Sequence, residues 1–220
     1  MHSVPKTFQL KIHLLGISPM IWRRVLVSSS TTLRELHGIL QVAMGWDGIH
    51  LFQLDIRSVD YGSWELHAAS PDIPLSGFGF RRNDRLFYIY DMGDYWKHEV
   101  RIEAILDADP KKPYPVCTGG AGACPPEECG GPEGYLARLD EATGYDAWED
   151  MGVMTEWLDG VLRGDTADKT VRDLLSEDVE TAMERVIARG PYVEDKFSRK
   201  VVNDGFRTEK HRELMHQQLM

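Results

Sequence analysis

The stretch YIYDMGDYWKHEVRIEAIL concentrates side chains that can bind a ligand or a metal ion. It contains Asp91, Asp94, Trp96 and His98. If residues 94–106 form a strand, the side chains alternate, and the face with the apolar residues packs inward. Asp94 and His98 then point inward beside Trp96. A carboxylate or an imidazole in a core is costly unless it is paired, hydrogen-bonded or ligated.

The placement of Asp91 depends on the turn before this strand. A two-residue Met92-Gly93 turn sets Asp91 opposite Asp94 on the same face, whereas a three-residue turn reverses the parity. Methionine is a poor residue for a positive φ, so the sequence leaves both alternatives open.

Two further histidines lie on apolar faces. His50 shares a strand face with Phe52 and Leu54, and His37 lies one helical turn after Leu33. A structural interpretation is that these are satisfied polar groups in a core. The functional interpretation is a ligand site formed by His37, His50, Asp91, Asp94, Trp96, His98 and Glu127. In that site a divalent metal, such as zinc, would be held by His50, Asp94 and His98, with His37 or Asp91 behind them.

A loop rich in proline, glycine and cysteine occupies residues 110–132. Cys117, Cys124 and Cys129 have the spacing C-x6-C-x4-C. A structural zinc site usually has four ligands, often in close C-x2-C pairs, and this spacing differs from that pattern. Two interpretations stay open: the cysteines bind zinc, or they are three reduced thiols that pack as small apolar residues. If the loop folds over the mouth of the sheet, Glu127 or Glu128 meets the His/Asp group; the alternative is that both face solvent.

The elements that position these residues predict an α+β fold. Residues 8–15 and 21–28 are strands around a Gly/Pro turn, and a helix follows in which Thr32 and Glu35 form a capping box and Gly45 ends the last turn. Three more strands are predicted over residues 50–57, 85–91 and 94–106. This order indicates a mixed or antiparallel sheet packed on a helix, in a β-grasp-like roll.

The second half of the chain is predicted to be helical. The segments GYLARLDEA, DAWEDMGVMTEWLDGVL and SEDVETAMERVIARGP have helical apolar spacing, and in the last one Ser176 is the expected cap and Gly190-Pro191 the stop. The final 30 residues are polar and helix-compatible, as in a partly ordered tail. We predict a domain over residues 1–165 and a helical C-terminal extension over 166–220.

The composition limits the classes of partner. The formal net charge is −10, with 42% hydrophobic and 27% charged residues, which argues against a surface built mainly to wrap nucleic acid or anionic lipid. No segment has the roughly 18 apolar residues that cross a bilayer, and the start lacks a secretory signal, so a cytoplasmic protein without a membrane partner is expected. A local basic excess near the C-terminus leaves nucleic-acid binding as one alternative.

Four motifs resemble the plasmid pRiA4b ORF-3-like family. They are PMIWRRVLV, TLRELHGILQVAMGWDGIHLFQL, YIYDMGDYWKHEV and YPVCTGGAGACPPEECGGPEGY, in this order, over roughly residues 6–160. The resemblance implies a compact α+β roll and a link to plasmids or mobile elements, but no biochemical activity. The chain has Glu128 where the family pattern usually has Asp.

Together these features favour a non-enzymatic binding or adaptor module for a protein or small-molecule partner. The sequence shows no nucleophile–base pair, phosphate loop or cofactor fingerprint. The alternative is a metal-dependent hydrolase or nuclease-like enzyme that uses His50, Asp94, His98 and Glu127.

Overall fold

A computed structural model describes residues 5–163, 175–189 and 196–216 of the chain. The elements of its first half are the strands β1 (Lys6–Leu14), β2 (Trp22–Ser28), β3 (Phe52–Ile56), β4 (Val59–Gly62), β5 (Arg85–Tyr90), β6 (Trp96–Asp107) and β7 (Val116–Ala121), and the helix α1 (Leu33–Met44). The later helices are α2 (Gly131–Thr143), α3 (Tyr145–Arg163), α4 (Glu177–Arg189), α5 (Arg199–Arg207) and α6 (Lys210–Leu214).

The seven strands form one sheet in the order β4-β3-β5-β6-β1-β2-β7. Each pair of neighbouring strands is antiparallel. The predicted α+β class is therefore confirmed, and of the mixed and antiparallel alternatives the sheet is antiparallel. Its long central strands β1 and β6 alternate buried and half-exposed residues, so one face forms the core and the other stays accessible.

The helix α1 begins and ends where the sequence predicts. The Thr32 hydroxyl accepts a hydrogen bond from the Glu35 backbone N–H, and the Glu35 carboxylate accepts one from the Thr32 N–H. Gly45 ends the helix in the left-handed region at φ 96°. Nearly every residue of the helix is buried, because the sheet covers one side and α6 packs on another.

The turn between β5 and β6 differs from both predicted alternatives. Tyr90 pairs with Trp96, so five residues, 91–95, connect the strands. Trp96 and His98 point into the core as predicted, but the inward placement of Asp94 is wrong, because Asp94 lies in the turn and is half-buried. The Asp91 carboxylate accepts a hydrogen bond from the Gly93 N–H at 2.9 Å, which stabilises this wider turn.

The predicted irregular excursion over residues 110–132 is also wrong in part, because it contains the edge strand β7. Its sequence VCTGGA has two glycines and weak strand propensity, so pairing with β2 decides its conformation. A side chain at Gly120 would come within 2.8 Å of the Trp22 carbonyl oxygen and 2.7 Å of the Phe197 ring. Glycine is required there because the chain approaches so closely.

The C-terminal helices α5 and α6 pack on the sheet domain, which corrects the prediction of a partly ordered tail. A Cβ atom at Gly38 of α1 would lie 1.9 Å from the His211 carbonyl oxygen, so α6 touches the α1 backbone. The Asn203 side chain of α5 accepts from the Cys117 N–H at 2.8 Å and donates to the Cys117 carbonyl at 2.9 Å. This pair of bonds occupies the outer edge of β7 as another strand would.

The chain divides into two compact units. One unit comprises Met1–Glu133 and Asp195–Met220, and the other comprises Gly134–Glu194. In the second unit α3 packs on α4, where the buried Asp150 accepts hydrogen bonds from Arg185 and pairs with Arg189 at 2.6 Å. The predicted boundary at residue 165 stays a prediction, and the predicted Gly190-Pro191 stop lies outside the described residues. Among the helices that the structure describes, none combines the length and apolar character needed to cross a bilayer.

Candidate binding surfaces on the two faces of the sheet

The buried histidines His37 and His98 are held by the core. The Nδ1 atom of His37 lies 2.7 Å from the Tyr88 hydroxyl, and its ring stacks on Phe52 with centroids 3.9 Å apart. The Nδ1 atom of His98 lies 3.1 Å from the Trp96 carbonyl oxygen. Burial lowers the pKa of each histidine to about 3, so both are neutral near pH 7. Neither side chain reaches solvent, as expected for structural groups.

The mouth of the sheet is closed by residues 125–131, which we call the PPE loop. The Trp46 indole N–H donates to the Pro125 carbonyl at 2.8 Å. The Gly130 N–H donates to the Asp94 carboxylate at 3.2 Å. The role of Asp94 is therefore to hold this loop against the β5–β6 turn.

Two adjacent glutamates of the PPE loop face different partners. Glu127 accepts a 2.5 Å hydrogen bond from the Tyr90 hydroxyl and a 2.9 Å bond from the Asp47 N–H. Glu128 lies 3.8 Å from His50 Nε2. Asp91 approaches the same nitrogen at 3.6 Å, so His50 sits between two carboxylates.

The structure separates the residues proposed as metal ligands. His50 is at the mouth, Asp94 binds the PPE loop, and His98 is enclosed in the core. Within residues 5–163, 175–189 and 196–216, no three or more His, Cys, Asp or Glu side chains are grouped so that they could hold a metal ion.

Within the part of the chain that the structure describes, none of the three cysteines forms a disulfide. Cys117 is in β7 and Cys129 is buried in the PPE loop. Burial raises the pKa of the Cys117 and Cys124 thiols, and the nearby Arg23 guanidinium offsets this only in part. A protonated thiol is a poor nucleophile and a poor metal ligand.

The accessible face of the sheet has a feature that the sequence prediction missed. Arg85 pairs with Arg101, Arg101 with Lys11, and Lys11 with Arg24, so four basic residues lie in register across the adjacent strands β5, β6, β1 and β2. We call these four residues the cationic row. Each residue occupies an outward position of its strand, and the pairing of distant strands brings them together.

The cationic row borders an open depression of about 740 Å³. One carboxylate, that of Glu103, lines it, and a second, that of Glu99, pairs with the cationic row. Glu99 accepts hydrogen bonds from Arg85 at 3.0 Å and Arg101 at 2.9 Å, and Glu103 accepts from Arg24 at 2.5 Å. The hydrogen bond from Arg24 lowers the pKa of Glu103, so this carboxylate stays ionised.

Aromatic rings flank the cationic row at both ends. The Lys11 ammonium lies 5.4 Å and the Arg24 guanidinium 5.2 Å from the Trp22 ring centroid. On the other side Lys97 lies 4.8 Å from the Phe87 ring. Bases and sugars stack on such rings when the cations bind phosphates.

The protein contains an α+β domain. One face of its antiparallel sheet packs on a helix, and the other face is accessible. Residues 6–170 match the plasmid pRiA4b ORF-3-like protein family, and the chain belongs to that family.

Two relatives of the chain extend this comparison. One is the uncharacterized protein y4hQ of Sinorhizobium fredii (strain NBRC 101917 / NGR234), 33% identical over 168 residues that cover 70% of this chain and 81% of that protein. The other is a crystal structure of a protein of unknown function, MM3350 from Methanosarcina mazei Go1. It is similar with a TM-score of 0.61 and 32% identity over 67% of this chain and 88% of that one.

Proposed function

We propose that this chain is a non-enzymatic binding module whose open sheet face binds single-stranded nucleic acid. The observation that carries the proposal is the cationic row, in which Arg85, Arg101, Lys11 and Arg24 are neighbours in register. Like charges directly opposite each other in a sheet destabilise it. Hydrogen bonds to Glu99 and Glu103 offset part of this repulsion, and an anionic ligand would offset the remainder.

The charge of the surroundings supports an anionic ligand. Arg82 lines the depression and extends the basic surface, and Lys97 adds a cation over the Phe87 ring. The carboxylates on this face include Glu103, which lines the depression, Glu99 and Asp55. Residues 134–194 contain fifteen Asp and Glu against six Lys and Arg, so most of the net charge of −10 belongs to that segment. The acidic total therefore does not argue against a basic sheet face.

The dimensions and the rings favour a single strand over a compact anion. Neighbouring strands are about 4.8 Å apart, so the cationic row extends over roughly 14 Å and suits several successive phosphates. The half-buried Trp22 and Phe87 flank this path. Aromatic residues on an accessible sheet face are a common platform for unpaired bases. A cytoplasmic protein tied to plasmid or mobile-element biology, which the family resemblance implies, would encounter such a ligand.

Two other functions considered from the sequence, nucleic-acid binding by the C-terminal segment and metal-dependent hydrolysis, have less support. The basic segment near the C-terminus is a weaker candidate for nucleic-acid binding, because α5 and α6 are packed on α1. A metal-dependent hydrolase would need His50, Asp94, His98 and Glu127 to converge, and His98 is fully buried. Metal analysis of chelator-free protein tests this alternative. One equivalent of metal, lost together with nuclease activity in His50→Ala, would contradict a non-enzymatic module.

Binding is measured by fluorescence anisotropy with a labelled 12-nucleotide single-stranded DNA at several salt concentrations. With four phosphate contacts, the slope of log K against log salt is expected near −2.8, since each contact contributes about −0.7 on a single strand. The double variant Lys11→Gln, Arg101→Gln is expected to weaken binding and reduce the slope by about 1.4. Lys200→Gln, an exposed cation of α5, is the matched control. Binding that is absent, or that is equal in the double variant and the control, would overturn the proposal.

A further inference from the structure

The helix α3 has two apolar faces, and among residues 5–163, 175–189 and 196–216 only one of them is packed. Its packed face contains the buried Ala147 and Asp150 and lies against α4. The other face has Trp148, Met151, Thr155, Leu158 and Leu162, and we call these five residues the α3 stripe. All five are exposed, with Trp148 at 74% and Leu162 at 76% of their full accessible area.

The spacing of the α3 stripe is that of a helix–helix interface. The intervals of three, four, three and four residues place the side chains along one line of the helix. The stripe covers fourteen residue steps, or about 21 Å at 1.5 Å per residue. Large apolar groups in a continuous exposed line mark an interaction site.

The charges beside the α3 stripe indicate which partner fits. Glu149, Glu156 and Asp159 lie along one side of it, and only Asp159 has a basic partner on its own helix, Arg163 at 2.8 Å. The unit Gly134–Glu194 has the acidic excess noted above. A second copy of α3 would bring like charges together, whereas a helix with Lys and Arg beside its apolar face would be attracted.

We propose that the α3 stripe binds a basic amphipathic helix of a partner protein. The apolar face of that helix would cover Trp148, Leu158 and Leu162, and its basic side chains would meet Glu149 and Glu156. This mode of recognition needs a groove or face of about four turns and no change in the fold of α3. The residues of this protein contact are different from those of the cationic row.

The test uses the full chain and an 18-residue Leu/Lys peptide of heptad spacing, with a Leu/Glu peptide of the same pattern as the charge control. We expect the basic peptide to bind and the acidic one not to bind. Leu158→Gln combined with Leu162→Gln is expected to weaken binding about tenfold or more, because the apolar contact is lost while the charge is kept. Ile49→Gln, at another exposed apolar residue, is the control for a general loss of apolar surface.

A site-specific signal accompanies this measurement. The tryptophan emission is expected to shift to shorter wavelength when the basic peptide binds, and the shift should disappear in Trp148→Phe. Peptide binding that is unchanged in the double leucine variant would overturn the proposal. A full chain that is dimeric and becomes monomeric in the double variant would also overturn it, since a second copy would then be the occupant.

Discussion

The Tyr90 hydroxyl donates a 2.5 Å hydrogen bond to Glu127, which links the end of β5 to the PPE loop. Burial raises the pKa of the Tyr90 phenol, and the Glu127 carboxylate raises it further. The second Glu127 oxygen accepts from the Asp47 N–H after α1. One side chain thus joins three segments, so the loop over the mouth is part of the fold.

Replacement of Glu127 by alanine is expected to destabilise the protein by about 1–3 kcal/mol, because the buried Tyr90 hydroxyl and the Asp47 N–H lose their acceptor. Urea unfolding at pH 7 measures this loss. Glu128→Ala is the control, since the neighbouring side chain is 71% exposed and is expected to change stability by less than about 0.5 kcal/mol. Equal effects of the two substitutions would show that the Tyr90 contact does not stabilise the loop.

Local patterns in the sequence were sufficient to predict those parts of the fold that depend on interactions between neighbouring residues. The capping box at Thr32 and Glu35 and the alternation of Trp96 and His98 are confirmed because each depends on a few adjacent residues. The strand β7 escaped prediction because its conformation depends on pairing with β2.

The candidate surfaces show the same limit. The cationic row could not be predicted because its members come from four strands, and their proximity follows from register. Placing Asp94 in the core failed for a related reason, since a wider turn shifted it out of the strand. The exposed stripe of α3 was readable as helical spacing, but only the packing of α4 shows which of its two faces is covered.

The buried histidines predict a loss of stability in mild acid. Both have a folded-state pKa of about 3, against a usual value of 6.5, so below pH 6.5 the unfolded chain binds protons that the folded chain excludes. Stability is complete above pH 6.5 and falls as the pH decreases. When the pH is lowered from 7 to 5, each histidine is expected to reduce the free energy of unfolding by about 2 kcal/mol.

Urea unfolding at pH 7, 6 and 5 measures this dependence, in a range above the titration of the carboxylates. The two histidines together account for one part of the change in the free energy of unfolding with pH. His37→Gln and His98→Gln are each expected to remove half of that part. Burial also lowers the pKa of His13 and His211. These two histidines therefore also reduce stability as the pH falls, and their contribution is still present in both variants. A slope that is the same in wild type and variants would mean that the histidines are protonated in the fold.

Gly131 is expected to be irreplaceable at the start of α2. It has a φ of 67°, and a Cβ atom there would lie 2.2 Å from the Asp94 carbonyl oxygen. Gly131→Ala is expected to destabilise the protein by at least about 2 kcal/mol, since left-handed strain and the backbone clash add. Gly119→Ala is the control because its Cβ would meet the Trp22 ring at an ordinary 3.6 Å. Thermal unfolding of both variants tests this, and equal melting temperatures would contradict the close approach.

The edge of β7 depends on Asn203. Its amide group accepts from the Cys117 N–H and donates to the Cys117 carbonyl, so both backbone groups are satisfied by one side chain. Asn203→Asp has the same shape but replaces the donor with a second acceptor, which faces the Cys117 carbonyl. We expect a loss of about 1–3 kcal/mol and a weaker docking of α5.

Hydrogen exchange gives the most direct measurement of this effect. The Cys117 amide is expected to exchange much faster in Asn203→Asp, and an uncovered strand edge should make the variant more prone to aggregate. Asn83→Asp makes the same chemical change at an exposed side chain and should leave exchange at Cys117 unaltered. If Cys117 stays equally protected in both variants, the edge must be covered by the body of α5, and the amide of Asn203 contributes little to it.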